Sequence, residues 1–261
     1  MKQLTTLGWK AAMPNNIVIR PLETLAEMRA IEDIQREAWG MIERDIVPAH
    51  ILLAFARYGE IVLGAFDGAV MAGFVLGFPG LLAADDERAG WLGTRISHRS
   101  EMLGVRRAYQ GRGIGFALKV AQREHVLAQG MRLVTWTFDP LVGRNAHLNL
   151  ARLGGICRLY IPDAYGELTG INAGLATDRV EVEWWVASQH VADRLAGSAR
   201  VGRRDWEAAL GVGVVNESAA RPDGLRAPAE TAELPSPPPP YILVEAPGDI
   251  GAIKAADMGL A

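Results

Sequence analysis

Leu25, Met28, Ile31, Ile34 and Ala38 recur on one helical face, and Thr24 and Glu27 stand where a capping box would open that helix. A short strand, Ile17 to Arg20, precedes it, and Ala49 to Tyr58 reads as a second helix. Ile61 to Ala84 is almost wholly apolar and about as long as the roughly 20 residues a membrane-spanning helix needs. Asp67-Gly68 divides it, so the runs Ile61 to Phe66 and Ala69 to Phe78 predict two buried strands joined by a two-residue hairpin turn. Pro79-Gly80 should end the second strand, and Leu81 to His98 reads as a loop kept wet at its start by Asp85, Asp86, Glu87 and Arg88.

Ser100 to Val105 predicts another strand, and Ile114, Ala117, Leu118, Ala121 and Ala128 line the buried face of a helix stopped by Gly130. Met131 to Phe138 is rich in strand formers. Asp139-Pro140 then turns the chain towards a helix from about Asn145 to Leu153, ended by Gly154-Gly155. Ile156 to Ile161 and Val180 to Val186 are the last strands of a domain spanning residues 15–187. The order is strand, two helices, three strands, helix, strand, helix, two strands, which is an α/β arrangement of the mixed-sheet, α+β kind. Residues 188–261 form a C-terminal extension, expected to pack on the domain or to reach a second subunit in a homodimer. Within it, 221–240 is a Pro-rich linker ending Leu234-Pro-Ser-Pro-Pro-Pro-Pro240, followed by a strand from Tyr241 to Glu245 and a helix from Asp249.

Composition narrows the chemistry. With 261 residues, 49% of them hydrophobic, the chain can bury a core of domain size. A net charge of -3 gives no basic field for a nucleic-acid backbone or an anionic membrane, so neither is an expected partner. The single Cys157 excludes an intramolecular disulfide framework, and Met1 to Pro14 lacks the apolar core of a signal peptide, which together predict a cytoplasmic protein. Five histidines and one cysteine show no metal-ligand spacing, so no metal is expected.

The candidate chemistry sits in Val105-Arg106-Arg107-Ala108-Tyr109-Gln110-Gly111-Arg112-Gly113-Ile114-Gly115, a glycine-studded loop from strand to helix. Such a turn lets backbone N–H groups converge at the positive end of a helix, where an anion binds. Gly115 is followed by Phe116 and Ala117 rather than Lys-Ser or Lys-Thr, which excludes a P-loop. Gly111 and Gly113 stand too far beyond Val105, with Phe at 116, for the dinucleotide fingerprint. The bland alternative is a glycine turn before a helix. Gln110-x-x-Gly113-x-Gly115 behind that strand resembles the coenzyme A pyrophosphate loop of the GNAT acyltransferase superfamily, and the element order over residues 15–187 is the GNAT order. The words Asp139-Pro140-Leu141, Arg144-Asn145-Ala146, Asn149, Leu153-Gly154, Tyr165-Gly166, Asn172, Gly174, Thr177-Asp178-Arg179 and Trp184 resemble a little-characterised bacterial branch of predicted acetyltransferases.

That resemblance implies an acyl-CoA-dependent N-acyltransferase, moving an acetyl or succinyl group from coenzyme A to a small-molecule amine, an amino acid among the candidates. It implies splayed central strands that admit the pantetheine arm, with Gly104 as the bulge where the splay begins. Leu103, Gly104 and Val105 would bind pantetheine through backbone N–H groups, Gln110, Gly111, Arg112, Gly113, Ile114 and Gly115 the pyrophosphate, and Asn145 and Asn149 the pantetheine or the sulfur. The superfamily often places a Tyr four residues before the glycine that ends the next helix; Leu150 stands there, so Tyr160 or Tyr165 is the substitute acid. Glu101 is the candidate base, ahead of His98 and His147. Asn172, Asp178 and Arg179 are candidate acceptor contacts, and Arg144, Arg158 or Arg179 would read a carboxylate on acceptor or donor. Each has a bland counterpart: Glu101 as a solvated strand residue, the tyrosines as packed side chains, Asp178 as a local partner of the turn around Arg179. Two further readings remain at this stage, a non-catalytic acyl-CoA binder or sensor and a nucleotide-binding regulatory domain.

Overall fold

The computed structural model describes residues 16–166, 176–197, 216–228, 242–247 and 250–256. The chain runs through β1 (Ile17–Pro21), α1 (Leu25–Trp39), α2 (Ala49–Arg57), β2 (Ile61–Asp67), β3 (Val70–Leu81), α3 (Glu87–Leu92) and β4 (Ile96–Val105). It continues through α4 (Ile114–Ala128), β5 (Val134–Phe138), α5 (Gly143–Ala146), β6 (Ile156–Ile161), β7 (Arg179–Trp184) and α6 (Gln189–Leu195). A small hairpin of β8 (Ser218–Ala220) and β9 (Arg226–Pro228) and helix α7 (Ile250–Ala256) complete the described elements.

Seven strands form one sheet in the order β1-β2-β3-β4-β5-β7-β6. Every neighbouring pair is antiparallel except β4 and β5. The face under α1 and α2 buries Met28, Ile31, Ile34, Leu52, Phe74 and Leu76. The other face buries Ile114, Leu118 and Val126 of α4 against Val75, Val134, Trp136 and Trp184. No described helix is long and apolar enough to cross a membrane, because the apolar run 61–81 is consumed as two paired strands.

Helix α1 starts as its sequence dictates. Thr24 Oγ1 accepts from Glu27 N (3.3 Å), while Glu27 Oε2 accepts from the N–H groups of Thr24 and Glu23, both at 2.9 Å. Partial burial pushes the Glu27 carboxyl up, but these N–H groups, the Arg20 guanidinium and the Thr24 hydroxyl outweigh it and bring it down to about 2.

Several expectations are corrected. The hairpin register pairs Asp67 with Val70, so the two turn residues are Gly68 and Ala69, with Gly68 at φ +58. Strand β3 does not stop at Pro79-Gly80 but runs on to Leu81. Beyond the Ile61–Gly77 pair β2 has ended, so β3 is an edge on that side and Pro79 has no ladder donor to supply there. The segment 81–98 is not one loop: Asp86 caps α3 by accepting from Arg88 N at 2.9 Å, and β4 begins at Ile96. In α4 the buried stripe is Ile114, Leu118, Gln122 and Val126, which turns Ala128 out to solvent. Strand β5 starts at Val134, although Met131 and Leu133 before it are buried. The helix expected over 145–153 begins at Gly143 and becomes a π-helical segment, His147–Arg152. In the extension, part of the expected linker is the strand β9, and from Tyr241 to Glu245 the only described pairing residue is Leu243, a single bridge. The prolines from 235 to 240 lie outside the described residues.

Candidate active site

Strands β4 and β5 pair at only two positions, His98 with Val134 and Arg99 with Thr135. From Ser100 onward β4 keeps β3 on one side, and its β5-facing edge has no ladder partner among the described residues. The sheet therefore forks at its centre. A backbone edge left unpaired inside a sheet offers N–H and C=O groups to an extended ligand.

The glycine loop stands at the open end of the fork. Glu37 anchors its start, accepting from Arg106 Nη1 at 2.6 Å and from Arg107 N at 2.8 Å. Gln110 Nε2 donates back to Val105 O (3.1 Å). Gly111 and Gly113 have φ of +76 and +80, a region other residues occupy only at a cost, and Gly113 is the N-cap of α4. No side chain caps that end, and the first N–H groups of a helix have no acceptor within it, so they face outward. A Cβ placed on Gly111 or Gly113 would meet nothing within 4 Å, so the cradle is open. Leu103 and Leu148 flank Gly115, which brings the π-helical segment beside the same turn.

The bulge lies at Glu101, not at Gly104. Leu76 pairs with Met102 and Gly77 with Ser100, which leaves Glu101 as the extra residue on β4. Gly104 pairs regularly with Phe74, and a Cβ there would stand 2.8 Å from the Phe74 ring and 3.2 Å from Trp39, so close packing under α1 explains that glycine.

Glu101 is exposed and accepts from Arg99 Nε at 3.2 Å. Arg99 Nη2 lies 3.5 Å from Thr137 Oγ1 on β5, and Thr137 Oγ1 is 2.8 Å from the Tyr165 hydroxyl. The fold thus links Glu101 and Tyr165 across the fork through Arg99 and Thr137. Tyr160 stands apart on the edge strand β6, its hydroxyl donating to Asp178, a bond that raises its pKa. Asp178 also accepts from Asp163 N at 2.9 Å; that bond and the Tyr160 hydroxyl hold its carboxyl below the ordinary range. Asp178 therefore fastens the 161–166 turn to β7. Arg179 is buried, donates to Asp178 O (2.8 Å) and lies 5.3 Å from the Tyr165 ring. Asn145 is half-buried in α5, and Asn149 is buried in the π-helical segment with its carbonyl accepting from Gly155 N at 2.9 Å. Leu150 is exposed. His147 is exposed, and Asn172 lies outside the described residues.

Three arginines here, Arg88 on α3, Arg99 on β4 and Arg158 on β6, are already paired. Arg88 bonds Asp86 and Glu181, each at 2.6 Å, Arg99 bonds Glu101, and Arg158 bonds Glu183 at 2.8 Å and Glu87 at 2.9 Å. The half-buried Cys157 thiol is pushed up to about 11 by burial and by Glu183 and Glu181. No group of His, Cys, Asp and Glu suited to a metal occurs among the described residues.

One cluster was not read from the sequence. Under α4, Gln122 Oε1 accepts from Ser100 Oγ (2.9 Å) and from Lys119 Nζ (3.3 Å), which turns Gln122 Nε2 towards His98 Nε2 at 3.2 Å. His98 Nε2 is thereby the acceptor, and its Nδ1 is buried without a partner. Burial, and then Lys119, lower the His98 pKa to about 3. The available signal was polar residues at 119 and 122 on a helix face that is otherwise apolar, facing a His and a Ser two apart on a strand.

No family profile and no curated protein sequence matches the chain. Solved structures do. Arabidopsis thaliana NAA60 in complex with a bisubstrate analogue superposes with a TM-score of 0.52 at 19% identity, over 65% of this chain and 97% of that one. For yncA of Salmonella typhimurium with its cofactor acetyl-CoA the values are 0.50 and 18%, over 67% and 96%. A ribosomal-protein alanine N-acetyltransferase from Escherichia coli gives 0.50 and 14%, over 66% and 95%. At identities below a fifth these likenesses speak to architecture alone, and the architecture is that of the GNAT acyltransferases.

Proposed function

We propose that the protein is an acyl-CoA-dependent N-acyltransferase that transfers an acetyl group to a small-molecule amine by direct attack. The observation that carries this reading is the fork: two paired positions, then an open β4 edge leading to the uncapped N-terminus of α4. NAA60 and yncA, which share the architecture, have been solved with a bisubstrate analogue and with acetyl-CoA. The resemblance in motif words adds the bacterial branch.

The chain's own residues suit the co-substrate. The first N–H groups of α4 and the open turn Gln110–Gly115 take the pyrophosphate. Backbone groups of Leu103, Gly104 and Val105 take the pantetheine arm as an added strand would, and Asn145 and Asn149 lie on the helix beside the turn. When bound, acyl-CoA supplies an acyl group activated as its thioester. Glu101, at the bulge where the fork opens, accepts the proton released by the amine. Tyr165, tied to Thr137 on the other prong, is the better placed of the two tyrosines to return a proton to the leaving thiolate, since Tyr160 is committed to Asp178.

A covalent route through Cys157 is disfavoured, because a thiol held near 11 is almost wholly protonated at neutral pH. Of the arginines that would read a succinyl carboxylate, Arg158 is held by Glu183 and Glu87, whereas Arg144 is exposed and Arg179 gives one N–H to Asp178 O. Acetyl is therefore the donor proposed, and the succinyl-CoA titration below decides between the two. Asp178 and Arg179 are the proposed acceptor contacts, with Asn172. Leu150 at the usual Tyr position supports a second reading, a non-catalytic acyl-CoA sensor.

Calorimetric titration of acetyl-CoA, succinyl-CoA, free CoA and ATP tests these readings, alongside a Gly113→Glu variant that places a carboxylate in the cradle. Micromolar acetyl-CoA binding that the variant loses is the expected result. Absence of acyl-CoA binding sinks both readings, and binding without thiol release across a panel of amines leaves the sensor.

A further inference from the structure

If β4 and β5 continued to pair beyond Arg99 and Thr135, the next partners would be Ser100 and Trp136. One amine touches both of their side chains. Lys119 Nζ is 2.6 Å from Ser100 Oγ on one prong and 3.5 Å from the centroid of the Trp136 ring on the other. Lys119 is 3% exposed and reaches this point from α4, whose first turn is the phosphate cradle.

A lysine here is an expensive residue. Burial, with Arg99 adding to it, pushes its amine well below the ordinary value, and no carboxylate pairs with it among the described residues. The other groups around it are Ser100, Gln122 and the buried, uncharged His98. An apolar side chain would fill the space at less cost but would fasten nothing. The amine, with several donors on a flexible stem, bonds β4 through Ser100, bonds its own helix through Gln122 and rests on the β5 indole. Gly77 gives the room: a Cβ on it would collide with His98 and stand 2.7 Å from Gln122 Nε2.

We infer that Lys119 is a positioning residue that fixes where β4 and β5 part, and so sets the width of the slot for the pantetheine arm and thioester of the acyl donor. The occupant of the slot rests on the function proposed above; the control of the fork does not. The tie makes the cradle helix and both prongs one unit, so a donor held by its pyrophosphate at α4 meets a slot of fixed width.

Lys119→Met keeps length and apolar volume and removes the tie. Ser100→Ala removes the β4 anchor alone and serves where the first variant fails to fold. Backbone hydrogen exchange in the ligand-free protein reads the fork directly, with α1 and the β1–β2 pair as internal reference. The expected result is exchange altered about tenfold or more over 100–105 and 136–138, with the reference segments within about twofold, and acetyl-CoA binding weakened about tenfold. Ser100→Ala should act in the same direction, and the double variant should be little worse than Lys119→Met alone. Unchanged exchange in the prongs, or a change spread equally over the reference segments, overturns the inference whatever happens to binding. If the wild-type protein binds no acyl-CoA, the proposed function falls while the exchange result still decides the role of Lys119.

Discussion

Replacing His98 with Gln should flatten the acid limb of the stability curve. The imidazole is fully buried, its Nε2 is occupied by Gln122, and its Nδ1 has no acceptor to receive a charged N–H. Its pKa is therefore about 3 in the folded chain against an ordinary 6.5. Between those values the unfolded chain holds a proton that the folded chain refuses, so stability falls as pH falls through 6.5 towards 3. Integrated from pH 7 to 4.5, that refusal amounts to about 2.5 kcal/mol. The window stops at 4.5 because Glu27, held at about 2, begins to withdraw its own contribution below it. Burial lowers the pKa of His125 as well, so the comparison is between wild type and variant at each pH rather than along one curve. His98→Gln retains a polar group facing Gln122 and does not titrate. Urea unfolding at pH 7, 6, 5 and 4.5, analysed as a two-state transition, should show wild type losing about 2.5 kcal/mol relative to the variant across that range. Parallel curves would refute the argument, since they would mean that the ring takes its proton without unfolding.

Gly77→Ala should lower stability by about 1–3 kcal/mol, because the new methyl meets Arg99 O at 2.6 Å and Gln122 Nε2 at 2.7 Å; a wild-type thermal midpoint would show that the cluster yields. Cys157 should react with iodoacetamide at pH 8 roughly a hundredfold more slowly than an ordinary thiol, given a pKa of about 11, and a rate near that of a free thiol would contradict its burial. Thr24→Ala removes the hydroxyl from the capping box and should cost about 1 kcal/mol in urea unfolding, whereas an unchanged midpoint would show the Glu27 contacts suffice alone.

The amino-acid sequence by itself determined what depends on neighbours along the chain. The capping box at Thr24 and Glu27, the 28-31-34 stripe of α1, the two apolar runs either side of Gly68 and the left-handed glycines at 111 and 113 follow from periodicity, capping and backbone sterics. From these the element order and the glycine turn ahead of α4 were legible. Strand ends were not: Pro79 reads as a stop, yet it is tolerated because β2 has already ended beside it, a fact about a partner strand. The same holds for the site. Glycine at 104 suggested a bulge, but the register places the bulge at Glu101, because strand pairing depends on Leu76 and Gly77 some 25 residues earlier. That Glu101 and Tyr165 are joined through Arg99 and Thr137, and that Tyr160 is committed to Asp178, emerges only when four strands lie side by side. Lys119 shows the division most plainly. On the sequence it is a charge interrupting an apolar stripe, and only the tertiary structure places its amine between Ser100 and Trp136, because contacts across 17 to 19 residues of chain are set by packing and not by spacing.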